Sequence, residues 1–199
     1  MGGGALTLGQ CFGARVRFPH GAYNMEIQKN ILLGDLTTFK IGGPALFFVR
    51  VKTVDELKKS LDFARDKNLS TLVLGGGSNI LVDDAGFDGL VIKIEIVGVT
   101  QEKELLIACA GESWDRLVLY AVERNLWGVE NLSGIPGSVG GAVSGSIGAY
   151  GQAISQTVRF VEVFERDSGV LKKMSNMECL FGYRESIFSR EREKYVIVR

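Results

Sequence analysis

Apolar positions along this chain follow two different periods, and the switches between them mark its elements. Ala45–Val51 (ALFFVRV) is a run of aromatic and β-branched residues and predicts a strand. Thr53 then precedes Glu56 by three positions, the spacing of a capping box, in which the Thr hydroxyl takes an orphan N–H and Glu56 reaches back to the cap. Val54, Leu57, Leu61 and Ala64 follow at helical spacing and predict an amphipathic helix over Val54–Lys67. Thr71–Leu74 and Gly89–Ile94 are short apolar strands, so the first half reads β-α-β-loop-β. Leu105–Ala110 predicts another strand. Ser113 caps a helix from Trp114 to about Arg124, with Leu117, Tyr120 and Ala121 on its apolar side. Val158–Glu165 alternates, Asp167-Ser168-Gly169 is a turn, and Val170–Met174 returns as its hairpin partner. Tyr195–Val198 is a last strand. The pattern is α+β, with two subdomains, 25–96 and 97–199, meeting near residues 95–100.

Two stretches follow neither period. Residues Met1–Tyr23 lack periodicity and lack the continuous apolar core of ~7–15 residues that a signal peptide needs. Residues 1–24 therefore read as an N-terminal extension, with Met25 opening the structured part. The second stretch, Asn131 to Val158, contains no Asp, Glu, Lys or Arg. Within it lie Gly134-Ile135-Pro136-Gly137-Ser138-Val139-Gly140-Gly141 and Ser146-Ile147-Gly148-Ala149-Tyr150-Gly151. Glycine at this density lets a flat ligand lie against the main chain, and the absence of charge suits a poorly hydrated surface. A cradle for a large neutral ring is one reading, and a buried glycine-rich turn is the other. A membrane span is excluded, because polar residues, Pro and Gly interrupt every apolar run before the ~20 residues required.

Composition narrows the chemistry. The 199 residues are 46% hydrophobic, with zero formal net charge, which does not suit a nucleic-acid binder. Cys11, Cys109 and Cys179 are odd in number and widely spaced, so neither a disulfide framework nor a zinc site is expected and a reducing compartment is. A single histidine, His20, makes a His-based metal site or a Ser–His triad improbable. Cys109 reads as an inert buried thiol, and Trp114 and Trp127 as packing residues.

A second glycine cluster, Gly75-Gly76-Gly77-Ser78-Asn79, ends the Thr71–Leu74 strand. Successive glycine N–H groups can form a concave nest for a phosphate, with Ser and Asn adding donors. It is not a dinucleotide fingerprint, since position 80 is Ile and no helix is predicted to follow. A tight turn is the alternative. Arg184 lies in Phe181-Gly182-Tyr183-Arg184-Glu185-Ser186-Ile187-Phe188. It either grips a carboxylate with two parallel bonds or pairs on the surface with Glu185 or Glu178. Tyr150 and Tyr183 are either phenolic donors or core aromatics.

Taken in order, Thr37–Pro44, Gly75–Leu81, Asn131–Gly137, Ile147–Gly151 and Phe181–Phe188 resemble the motifs of the UDP-N-acetylenolpyruvoylglucosamine reductase family over about residues 25–199. The resemblance implies the two-subdomain FAD-binding fold of the vanillyl-alcohol-oxidase type. It implies FAD as cofactor, NADPH as hydride donor and a UDP-sugar enolpyruvate as substrate, in cytoplasmic synthesis of a peptidoglycan precursor. Gly75, Gly76, Gly77, Ser78 and Asn79 would hold the pyrophosphate. Ser133, Gly134, Ile135, Pro136, Gly137, Gly140, Ile147, Gly148 and Tyr150 would line the isoalloxazine. Arg184 would be catalytic, polarising the substrate carboxylate, and Tyr183 a substrate contact. Two positions depart from the family pattern, which usually has Asn where Ser146 stands and Lys where Ser189 stands. The family's serine proton donor and partner glutamate lie beyond the matching region. The expectation is therefore a flavin-binding portion, with the C-terminal substrate domain absent, that binds FAD with little or no turnover. A non-catalytic flavin module and another oxidoreductase of the same fold are the alternatives.

Overall fold

The computed structural model describes residues 15–16 and 25–199. Apart from those two residues, the expected N-terminal extension lies outside the described residues. Strands β1 (Arg15–Val16), β2 (Ile27–Leu32) and β3 (Pro44–Val51) form one side of a five-stranded sheet. Helix α1 (Val54–Asp66) leads from β3 to β4 (Ser70–Leu74), and β5 (Phe87–Ile94) inserts between them, giving the order β1-β2-β3-β5-β4. β3, β4 and β5 run parallel, so their C-terminal ends share one edge. Such an edge is where open parallel sheets present ligand sites.

The start of α1 follows the capping prediction with one difference. Thr53 Oγ1 accepts from the Glu56 N–H at 3.1 Å, but Glu56 Oε2 accepts from Lys52 N at 2.6 Å, one residue before the cap. Leu57, Leu61, Phe63 and Ala64 are buried, so the predicted apolar stripe is the face that meets the sheet.

The second half contains β6 (Val99–Glu102) and β7 (Leu105–Ala108), an antiparallel pair, then α2 (Trp114–Val122), capped by Ser113. Next come α3 (Val139–Ser144), the small ribbon β8 (Gly148–Ala149) and β9 (Gln152–Ala153), and β10 (Phe160–Glu165). β11 (Val170–Ser175), the short α4 (Ile187–Arg190) and β12 (Tyr195–Ile197) complete it, with the sheet order β11-β10-β12. The β10–β11 hairpin pairs Glu165 with Val170, and Gly169 takes φ +68° in its turn.

One apolar cluster connects the two halves. It runs from Val49, Val51 and Ile92 through Ile96 and Trp114 to Val161, Val163 and Val196, all at most 9% exposed. Arg166, in the β10–β11 turn, adds a polar tie by donating to Thr71 Oγ1 of β4 at 2.6 Å. Trp114 packs as expected, fully inside, with Nε1 donating to the Leu132 carbonyl at 2.9 Å. Trp127 does not: it is 82% exposed. It follows the end of α2, where Asn125 turns the chain outward at φ +55°. Among the described residues, no helix is long and apolar enough to cross a membrane.

Candidate functional site

The two glycine-rich segments, far apart in sequence, meet main chain to main chain. A Cβ on Gly76 would lie 2.6 Å from Gly137 Cα and 3.0 Å from Ser138 N. One on Gly75 would lie 2.6 Å from Ser138 Oγ, and one on Gly137 2.8 Å from Ser78 Oγ. Ser78 Oγ completes the junction by donating to the Pro136 carbonyl at 3.0 Å. These glycines are therefore required by the approach of the two loops to each other, before any ligand is considered. Gly77 is required twice over, by φ +75° and by the Leu36 carbonyl 2.0 Å from where its Cβ would be.

The junction leaves a set of donors free. Among the described residues, the backbone N–H groups of Gly76, Gly77, Ser78 and Asn79 have no hydrogen-bond acceptor. The Gly75 and Gly77 carbonyls, by contrast, are taken, by the Lys93 ammonium and by the Thr38 N–H respectively. Carbonyls held and N–H groups open is the polarity an anion needs. The donor set thus fits a phosphoanhydride.

The uncharged segment is held by charged residues outside it. Gly134 N–H and Ser133 Oγ both donate to Asp115 Oδ1 of α2, at 2.7 and 3.4 Å. Ser138 caps α3, a helix placed where the sequence showed only glycine density; three of its six residues are Gly or Ser, which hid its period. Gly140 is accounted for by packing: its N–H donates to the Ala110 carbonyl at 2.8 Å, and a Cβ would lie 2.9 Å from Ala110 Cβ. Its N–H is not open to a ligand. Ile135 packs against the core while Pro136 turns its carbonyl to Ser78.

Ile147 is buried and Gly148 opens the β8–β9 ribbon. The two-residue turn of that ribbon is Tyr150-Gly151, at φ +48° and +80°, the signature of a type I′ hairpin. This turn pushes Tyr150 into solvent, 87% exposed, so it is not a core aromatic. Its carbonyl accepts from Asn131 Nδ2 at 3.2 Å. Ser146, just before the ribbon, is 5% exposed and held at φ +43°, a region that Asn enters more readily than Ser.

Arg184 occupies a second tight turn, closed by Gly182 N–H to the Glu185 carbonyl at 2.8 Å, with φ +56°. Its Nη2 donates to the Gly148 carbonyl at 2.9 Å. The surface pairing that was the alternative does not form: Glu185 pairs with Arg190 at 3.3 Å, and Glu178 accepts from Ser175 N and Oγ. Tyr183, beside it, is 95% exposed and excluded from any core. The turn is anchored from below by Ser186, fully buried, whose Oγ donates to the Ser144 carbonyl at 2.7 Å. Ser189 folds back on the same anchor, its Oγ accepting from Ser186 N at 3.0 Å.

The structure thus brings Gly75–Ser78 against Pro136–Ser138, and Arg184 against Gly148. Sequence reading missed Asp115 and Lys93, which act on these loops from distant elements; nothing in the local pattern signals either. A cavity of about 340 Å³ lies elsewhere, between α2, α3, β7 and β10, lined by Leu117, Val139, Val143 and Phe160, and contains none of the expected site residues. Among the described residues no group of His, Cys, Asp and Glu could hold a metal.

Comparisons with known proteins bear on the family and the fold. The model of the FAD binding domain family matches residues 45–175. The UDP-N-acetylenolpyruvoylglucosamine reductase of Streptomyces coelicolor is 41% identical over 167 residues, covering 84% of this chain and 44% of the relative. The chain spans about half the length of the curated relatives it matches. The crystal structure of the corresponding reductase from Thermus caldophilus superposes with a TM-score of 0.71 at 33% identity, covering 88% of this chain and 60% of that one. The 6-hydroxy-D-nicotine oxidase of Arthrobacter nicotinovorans, at 20% identity and a TM-score of 0.59, shares the fold alone. The expected α+β, two-subdomain flavoprotein fold is therefore the one observed.

Proposed function

The chain belongs to the FAD binding domain family, and on that premise we propose that it is the flavin-binding part of a cytoplasmic, NADPH-dependent UDP-N-acetylenolpyruvoylglucosamine reductase, which supplies UDP-N-acetylmuramate for peptidoglycan. In this reading the subdomains are 25–96 and 97–199. The single observation that carries it is the contact of Arg184 with Gly148. It joins the segment expected to address substrate to the segment expected to line the ring, in one structure.

Each group then has a task set by its chemistry. The four open N–H groups of Gly76–Asn79 would neutralise the pyrophosphate of FAD without a mobile side chain. The main chain of Ser133–Gly137 and the side of Ile147, Gly148 and Tyr150 would line the isoalloxazine, with Gly140 giving closeness of packing rather than a hydrogen bond. FAD, when bound, supplies hydride transfer from NADPH to the enolpyruvyl double bond. Arg184, with one N–H on Gly148, keeps donors for the substrate carboxylate and would hold it planar while charge develops on it. Tyr183, almost wholly exposed, would offer its phenol to the same substrate.

The test is the visible absorption spectrum of the purified chain before and after adding FAD. Structured flavin bands that survive gel filtration are the expected result. A chain that takes up no FAD would contradict the reading. Adding NADPH and then the UDP-sugar enolpyruvate separates two versions of it: reoxidation of the flavin by substrate marks the reductase, and bound flavin that substrate cannot reoxidise marks a flavin module without turnover.

A further inference from the structure

Lys93 sits behind the glycine loop and, among the described residues, forms no ion pair. It lies on β5, partly buried, directly across the parallel pair from Leu74, the last residue before Gly75. Its ammonium donates to the Gly75 carbonyl. Its acidic neighbour, Glu95, is engaged by Arg50 instead. Among the described residues no carboxylate pairs with Lys93. Burial pushes the Lys93 ammonium below its ordinary pKa, while Glu95 raises it and Arg50 lowers it further. A partly buried ammonium without an ion-pair partner is costly, and proteins ordinarily pair it.

Four open N–H groups, on Gly76 through Asn79, begin at the next residue of the same loop. Both features call for negative charge at one place. We infer that Lys93 and the Gly76–Asn79 main chain form a single phosphoanhydride site, in which Lys93 holds the Gly75 carbonyl aside and supplies the counter-charge for the ligand. This rests on the proposed FAD reading and adds to it a positioning residue from a different strand. The expected ligand class is a dinucleotide or nucleoside diphosphate bound through its phosphoanhydride.

The test measures dissociation constants for FAD and for ADP, which carries the phosphoanhydride without the ring, on the wild-type chain, Lys93→Met and Lys93→Arg. The unfolding midpoint of each ligand-free protein is measured alongside. Loss of a charge-assisted bond predicts about tenfold weaker binding of both ligands to Lys93→Met. The ligand-free midpoint of that variant should stay within about 2 °C of wild type, because relief of the partly buried, unpaired charge offsets the lost bond to the Gly75 carbonyl. Lys93→Arg should recover most of the affinity. A purely structural lysine would lower midpoint and affinity together and would overturn the inference. Unchanged affinity in Lys93→Met would overturn it too, while leaving FAD binding in place. A wild-type chain that binds ADP but not FAD would uphold the anion site and defeat the ring cradle; one that binds neither would defeat both.

Discussion

Arg184 and Gly148 are joined by one hydrogen bond, Nη2 to carbonyl at 2.9 Å, across 36 positions of sequence. The bond fixes the guanidinium plane with a main-chain acceptor, and no carboxylate of the described residues competes for it. An arginine held in this way keeps its remaining donors for a ligand, at the cost of a left-handed backbone.

Arg184→Lys should separate substrate from cofactor. A lysine keeps the charge but cannot both reach Gly148 and present a planar pair of donors. Affinity for the UDP-sugar enolpyruvate, read from the perturbation of the bound-flavin spectrum, should fall about tenfold or more. FAD affinity should fall less than substrate affinity, since Arg184 reaches the proposed ring-lining segment only through Gly148 and does not touch the Gly75–Asn79 loop.

Gly76→Ala should force the two loops apart. Its Cβ would stand 2.6 Å from Gly137 Cα, a main-chain atom that cannot swing aside. Overpacking of this kind costs about 1–3 kcal/mol. Urea titration should show a lower midpoint, and FAD uptake should be lost. A variant as stable as wild type with full flavin binding would contradict the described junction.

Ser146→Asn should stabilise the chain. Ser146 is held at φ +43°, where Asn is favoured over Ser. The gain expected is about 0.5–1 kcal/mol, a rise of about 1–4 °C in the thermal midpoint. A fall in the midpoint would show that the buried site has no room for the larger side chain.

The two described thiols should react in a fixed order. Cys179 is fully buried, and burial pushes its pKa up to about 11. Cys109 is raised by burial as well, but it remains partly exposed. Alkylation by iodoacetamide at pH 8, followed by mass spectrometry, should label Cys109 before Cys179. The linkage has a definite sign: the folded state keeps Cys179 protonated, so its contribution to stability is complete below about 9.0 and is lost as pH rises from there through about 11.

Much of this architecture was legible locally. Thr53 and Ser113 announced α1 and α2, and both serve as caps. The Asp167-Ser168-Gly169 turn announced the β10–β11 hairpin. β2 and α3 were not legible: β2 carries polar residues at half its positions, and α3 is built from residues of poor helix propensity fixed by Ser138 and by packing on Ala110. The site was legible as two separate glycine clusters but not as one junction. That junction depends on contacts between residues some sixty positions apart, such as Ser78 with Pro136, which no local period encodes. Asp115 and Lys93 were missed for the same reason. Trp127 misled because size suggests burial, whereas its position after the outward turn at Asn125 decides its exposure.

The junction of Gly76 with Gly137 also sets a clock. During synthesis the Gly75–Asn79 loop emerges from the ribosome long before its counterpart, and until the segment around Pro136–Ser138 follows, Gly76 lacks the main chain it packs against. On the proposed reading a flavin nucleotide would meet a finished clasp only once Ser138 has left the exit tunnel, and the partly made protein would have none in which to trap one.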